Sequence, residues 1–105
     1  ADLRISPDDA NLLTQQVLHL AKAGECERAW ATYAEHRVEL AGREATIQHD
    51  LAKAFALCGR RDEAVAALRR MAAQGATTDL LRSEDEFASL RGDSAFRALL
   101  PAPGR

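Results

Sequence analysis

Five side chains have the chemistry to hold a metal ion: His19, His36, His49, Cys26 and Cys58. Their spacing argues against that use. No two of them form a Cys-x-x-Cys, His-x-x-x-His or Cys-x-x-His pair that would aim both at one zinc ion. They read as scattered surface or packed residues. Two cysteines are also too few for a disulfide framework, and they read as reduced thiols packed at helix ends. The acids Glu27, Asp50, Asp62 and Glu63 fall at helix starts or on exposed faces, where the helix dipole accounts for those at the starts. No Ser–His–Asp order, nucleophile elbow or glycine-rich phosphate loop accompanies them. No catalytic residue and no cofactor is therefore expected, and the chain does not read as an enzyme. Two binding features stand beside these. The turn Gly59-Arg60-Arg61-Asp62 carries two guanidiniums that could attract an anion, although a solvated turn is the simpler reading. Trp30, the sole tryptophan, has two readings as well: an exposed anchor for a partner, or packing against the N-terminal Leu3 or Ile5. The second is favoured, because large aromatics are mostly buried.

The elements that must carry these residues are helices. Gly24, Gly42, Gly59 and Gly75 lie 18, 17 and 16 residues apart. Glycine closes a helix in the left-handed conformation, so each interval holds one helix and a tight turn. Helices are expected to end near residues 23, 41, 58 and 74. Ser6-Pro7-Asp8-Asp9 supplies an N-cap and acids for the first. The helical apolar stripes are Leu13, Val17 and Leu20, flanked by Leu12 and Leu18; then Ala29, Tyr33, Val38 and Leu40; then Ile47, Leu51, Phe55 and Leu57; then Ala64, Val65, Leu68 and Met71. Short connections make successive helices antiparallel neighbours. Beyond Gly75, Ser83 and Glu86 have the form of a capping box, with Phe87 and Leu90 on one face. Asp93 is expected to cap a last turn carrying Phe96, Leu99 and Leu100, and Pro101 opens a frayed tail. Residues 77–100 read as a closing element over the open face of the fourth helix.

The strongest regularity is a repeat. A shift of 35 residues superimposes LTQQVLHLAKAGECERAWATYAEH, from Leu13, on QHDLAKAFALCGRRDEAVAALRRM, from Gln48. It aligns Val17 with Ala52, Leu20 with Phe55, Gly24 with Gly59, Ala29 with Ala64 and Tyr33 with Leu68. A period of this length marks a solenoid, in which each unit buries its apolar face on the next.

The bulk properties agree with one domain over residues 1–105. The chain is 47% hydrophobic and 29% charged, with a net charge of −2. Acids and bases are mixed along it, so it lacks the clustered basic face that nucleic acid requires. No apolar run reaches the length of a membrane span. No signal peptide precedes the opening ADLRISPDD, and the expected compartment is the cytoplasm, with the periplasm left open. Only Lys22 and Lys53 among the 14 basic residues are lysines, and with abundant alanine this reads as the coding bias of a GC-rich bacterial genome.

These residues resemble the tetratricopeptide repeat family. Its helix pairs set a small residue and an aromatic three apart, then a turn glycine, a small alanine and a large apolar residue. Ala52, Phe55, Gly59, Ala64 and Leu68 fill those places in one copy, and Val17, Leu20, Gly24, Ala29 and Tyr33 in the other. The family's early tryptophan is replaced by Leu13 and Gln48, its terminal proline by Ala41 and Ala76, and its 34-residue period by 35. The resemblance implies an all-α solenoid of antiparallel helix pairs in a right-handed superhelix. Residues 11–44 form the first repeat, 45–76 the second, 77–100 a capping element and 101–105 a tail. It further implies a concave face lined by Asn11, Thr14, Leu18 and Lys22, then Thr46, His49, Lys53 and Leu57. Such a row could accept an acidic or C-terminal peptide with Lys53 as a point charge. A solvated face without a ligand is the bland alternative. The resulting expectation is a module that binds a protein or peptide. The rival is a self-associating or structural domain, since two repeats and a cap are few for stability alone. Either could be the regulatory or C-terminal part of a larger enzyme.

Overall fold

A computed structural model describes residues 6–100, and every regular element among them is helical. The elements are α1 (Pro7–Lys22), α2 (Cys26–Ala34), α3 (Arg37–Ala41), α4 (Ala45–Leu57), α5 (Arg61–Ala73), 3₁₀ segments at Asp79–Arg82 and Asp85–Leu90, and α6 (Ser94–Arg97). None of the described helices is long and apolar enough to cross a membrane. Residues 1–5 and 101–105, which include Leu3, Ile5 and the tail from Pro101, lie outside the described residues.

α1 starts as its sequence dictates. The Ser6 hydroxyl accepts from the Asp9 N–H at 3.1 Å, and Asp8 and Asp9 face the positive end of the dipole. Its inner face is Ala10, Thr14, Val17, Leu18, Leu20 and Ala21, all buried. Thr14 is polar there, and its hydroxyl is satisfied by donating to the Ala10 carbonyl at 2.8 Å. Leu12, on the other side of the helix, is 68% exposed.

Gly24, Gly59 and Gly75 take φ of 81°, 74° and 85° and so turn the chain out of α1, α4 and α5. Gly42 does not: its φ is −90°. The chain leaves α3 through two tight bonds, Gly42 N–H to the Glu39 carbonyl and Arg43 N–H to the Leu40 carbonyl, which need no left-handed residue. The expected helix reaching residue 41 is also interrupted. α2 ends at Ala34, His36 leaves helical geometry at φ −129°, and α3 adds only five residues. The break falls in a run containing Thr32, Tyr33, His36 and Val38, all weak helix formers. Val38, placed on the apolar stripe by its spacing, is 85% exposed on the short α3, whereas Leu40 is fully buried.

α4 is the central helix, buried at Ile47, Gln48, Leu51, Ala52, Ala54, Phe55 and Ala56. It packs on α1, on α5 and on the 3₁₀ segment Asp85–Leu90, which explains its nearly continuous apolar surface. Leu57 ends the helix and is 40% exposed. α1 and α4 run side by side in the same direction. Gln15 Nε2 donates to Asp50 Oδ2 at 2.7 Å in their middle turns, and Cys26 and Cys58, beyond their ends, have Cα atoms 5.5 Å apart. The closing segment repeats that offset against α4, because His49 Nε2 lies 2.7 Å from Glu84 Oε1, again 35 residues apart.

Gln48 is polar and fully buried on α4. Its buried amide donates to the Leu40 carbonyl at 2.6 Å and the Arg43 carbonyl at 3.1 Å, and accepts from Arg70 Nε at 2.8 Å. Gln74 Nε2 donates to the same Arg43 carbonyl at 2.9 Å. The loop from α3 to α4 is thereby tied to α5.

The closing element differs from its expected form. Ser83 does not cap it: the hydroxyl donates back to the Leu80 carbonyl at 3.1 Å, and the following turn is 3₁₀. Glu86, the other half of the expected capping box, faces Lys22 of α1 instead. Phe87, Leu90 and Phe96 are buried. Asp93 does cap α6, accepting from the Ala95 and Phe96 N–H groups at 2.9 and 3.1 Å. The element also lies chiefly on α4 rather than over α5, to whose first turn it is linked by Arg61 and Asp93 at 3.2 Å.

Candidate peptide-binding face

The eight residues assigned to a concave row divide into three groups. Thr14 and Leu18 are inside, 0% and 7% exposed, and present no surface to a ligand. The resemblance implied that they line the concave face with Lys22, but both belong to the buried face of α1, whereas Lys22 is exposed. Asn11, Thr46 and Leu57 are exposed and stand outside the charged cluster. Lys22, His49 and Lys53 are brought together, and they are engaged by the chain's own closing segment.

The engagement is specific in geometry. Glu84 uses both carboxylate oxygens: Oε1 lies 2.7 Å from His49 Nε2, and Oε2 lies 3.3 Å from Lys53 Nζ. Lys53 and Glu84 are each only 19% exposed, which strengthens their attraction over that of a surface pair. Glu86 lies 3.7 Å from Lys22 Nζ. The Phe87 ring stacks on the His49 imidazole, with centroids 6.0 Å apart and planes 11° from parallel. Three basic side chains from α1 and α4 thus hold two carboxylates and an aromatic ring presented over four consecutive residues.

The cysteines are joined as a Cys26–Cys58 disulfide, contrary to the reading of reduced thiols. The sequence held one signal for it. Cys26 lies two residues after Gly24 and Cys58 one before Gly59, so both sit at turns that the 35-residue shift superimposes. Among the described residues, no three His, Cys, Asp or Glu side chains stand close enough to hold a metal.

Trp30 packs within the helices. Its ring lies 5.4 Å from Tyr33 and 6.1 Å from Phe55, and Tyr33 meets Phe55 edge-on at 4.8 Å. The Arg60 guanidinium lies 3.4 Å from the indole centroid and Arg37 5.8 Å from it. Beyond Arg60 an open cleft of about 580 Å³ is lined by Ala56, Arg61, Glu63, Ser89 and Leu90, among others. Its two guanidiniums already face carboxylates, Arg60 that of Glu63 at 3.3 Å and Arg61 that of Asp93 at 3.2 Å. This leaves the simpler reading of a solvated turn. Comparison with protein-family models, with curated proteins and with solved structures finds no match to this chain.

Proposed function

We propose that this chain is a protein-interaction module of the tetratricopeptide type, with two helix pairs in a right-handed superhelix, and that it recognises an acidic peptide on the α1–α4 face. One observation carries the reading: Lys22, His49 and Lys53 grip Glu84, Glu86 and Phe87 of the same chain. A face that holds two acids and an aromatic in cis has the chemistry to hold them in trans. The closing segment is then a resident ligand, and a partner competes with it at the high effective concentration set by a short tether. No catalytic role is assigned.

Retention of a partner by immobilised protein tests this with two variants. Glu84→Gln/Glu86→Gln weakens the resident segment and should increase capture. His49→Glu/Lys53→Glu should abolish it while far-UV circular dichroism stays helical. Capture that is equal in all three proteins rejects the face as the binding site.

A second reading is self-association, favoured by Leu12, Val38 and Leu80, which are 68%, 85% and 65% exposed. Light scattering across a concentration series separates the two, and a strict monomer at high concentration eliminates the dimer. The disulfide supports an oxidising compartment such as the periplasm over the cytoplasm.

A further inference from the structure

We propose that the Cys26–Cys58 bridge is a thiol-exchange switch that decides whether the Trp30 stack is closed on Phe55. The proposal is independent of the peptide-binding reading. The bridge joins the first residue of α2 to the residue that follows α4. Both cysteines are only partly buried. They share a narrow crevice of about 10 Å³ with Trp30, Phe55 and Arg60.

α2 packs on α1, and the bridge is its one covalent tie to the α4 side. The helix has nine residues, too few to be helical alone. Its N-cap, Glu25, makes no capping bond, because the carboxylate accepts from Arg28 at 2.7 Å. Its far end is the break at Glu35. Apart from the bridge, α2 is held to the α4 side by Trp30 and Tyr33 against Phe55 and by Arg60 on the indole. Arg60 lies two residues after Cys58, so opening the bridge loosens both walls of the indole's site at once.

The chemistry has a direction. A dithiol reductant attacks as thiolate at Cys58 Sγ. The Sγ–Sγ bond breaks, and its electron pair leaves on Cys26 Sγ. The Cys26 thiolate sits at the positive end of α2, in the crevice that Arg60 also lines, which makes it the better leaving group. The reductant's second thiol, as thiolate, attacks its own sulfur in the mixed disulfide and releases Cys58, which takes a proton from water. Two electrons pass to the bridge, and the reductant becomes a cyclic disulfide.

The test uses the full chain, oxidised or treated with dithiothreitol, and its sole tryptophan. Reduction should raise the acrylamide quenching constant of Trp30 about twofold, as expected of local opening, while most of the helical circular dichroism persists. Reoxidation should restore the original value. Cys26→Ser/Cys58→Ser should match the reduced protein. Unchanged quenching overturns the switch, and so does loss of helix in step with it, which would make the bridge a global staple. Glutathione trapping with peptide mapping tests the direction. The mixed disulfide is expected on Cys58, formed several-fold more slowly in Arg60→Gln. Trapping mainly on Cys26, or an unaltered rate, overturns it.

Discussion

α5 runs thirteen residues without interruption and buries Ala64, Val65, Ala67, Leu68 and Met71. Its counterpart in the first helix pair, α2, stops after nine and buries Ala29 and Tyr33. Both follow a turn glycine with positive φ, and the 35-residue shift aligns them. The difference lies in their neighbours. α5 packs along α4, whereas α2 packs chiefly on α1. Where burial is generous, side-chain packing suffices. Where it is sparse, the chain adds specific devices: a disulfide and a cation–π contact. A shared sequence pattern sets the helix pairing, and each pair's surroundings decide what else must hold it.

The largest effect on this comparison should come from Phe55, which is shared by both pairs and is 3% exposed. Phe55→Ala removes the partner of Tyr33 and Trp30 and should cost about 3–5 kcal/mol in urea unfolding. Leu12→Ala, at an exposed site, should change stability by under about 0.5 kcal/mol. Equal losses would mean that the pairs do not meet at Phe55.

Overpacking sharpens the α5 side. Ala64 is 0% exposed, so Ala64→Leu should cost roughly 1–3 kcal/mol. Ala66 is partly exposed on the cleft facing Tyr33 and Arg37, and Ala66→Leu should be nearly silent. On the α3 side, Gln48→Ala deprives the Leu40 and Arg43 carbonyls and Arg70 of their partner. It should cost about 1–3 kcal/mol, with amide exchange rising first between residues 36 and 44.

The smallest effects separate the glycines. Gly59→Ala meets no atom within 4 Å, but φ of 74° makes it costly, by about 1–2 kcal/mol. Gly42→Ala has an ordinary φ, and its Cβ would meet only the Glu39 carbonyl at an ordinary 3.8 Å, so it should be neutral or stabilise by about 0.4–1 kcal/mol. Thermal melts of the two variants check the contrast.

These glycines also mark how far the sequence could be read. The turns at Gly24, Gly59 and Gly75, the caps Ser6 and Asp93, and the inward stripe of α5 were legible because each depends on residues within one or two helical turns. The break at Glu35 was not, since it falls in a run of weak helix propensity and not at a glycine or proline. The capping box at Ser83 and Glu86 failed for a related reason: Glu86 was drawn to Lys22, a partner 64 residues distant. Lys22, His49 and Lys53 were named only within the mixed eight-residue row that the resemblance implied, and their engagement by residues 84–87 depends on where the closing segment docks.

That occupation is tested most directly by a double-mutant cycle on Lys53→Met and Glu84→Gln, measured by urea unfolding. The pair is in contact at 3.3 Å and mostly buried, so a coupling of about 0.5 kcal/mol or more is expected. Strict additivity, within about 0.3 kcal/mol, would place the acidic segment off the α1–α4 face and contradict the account.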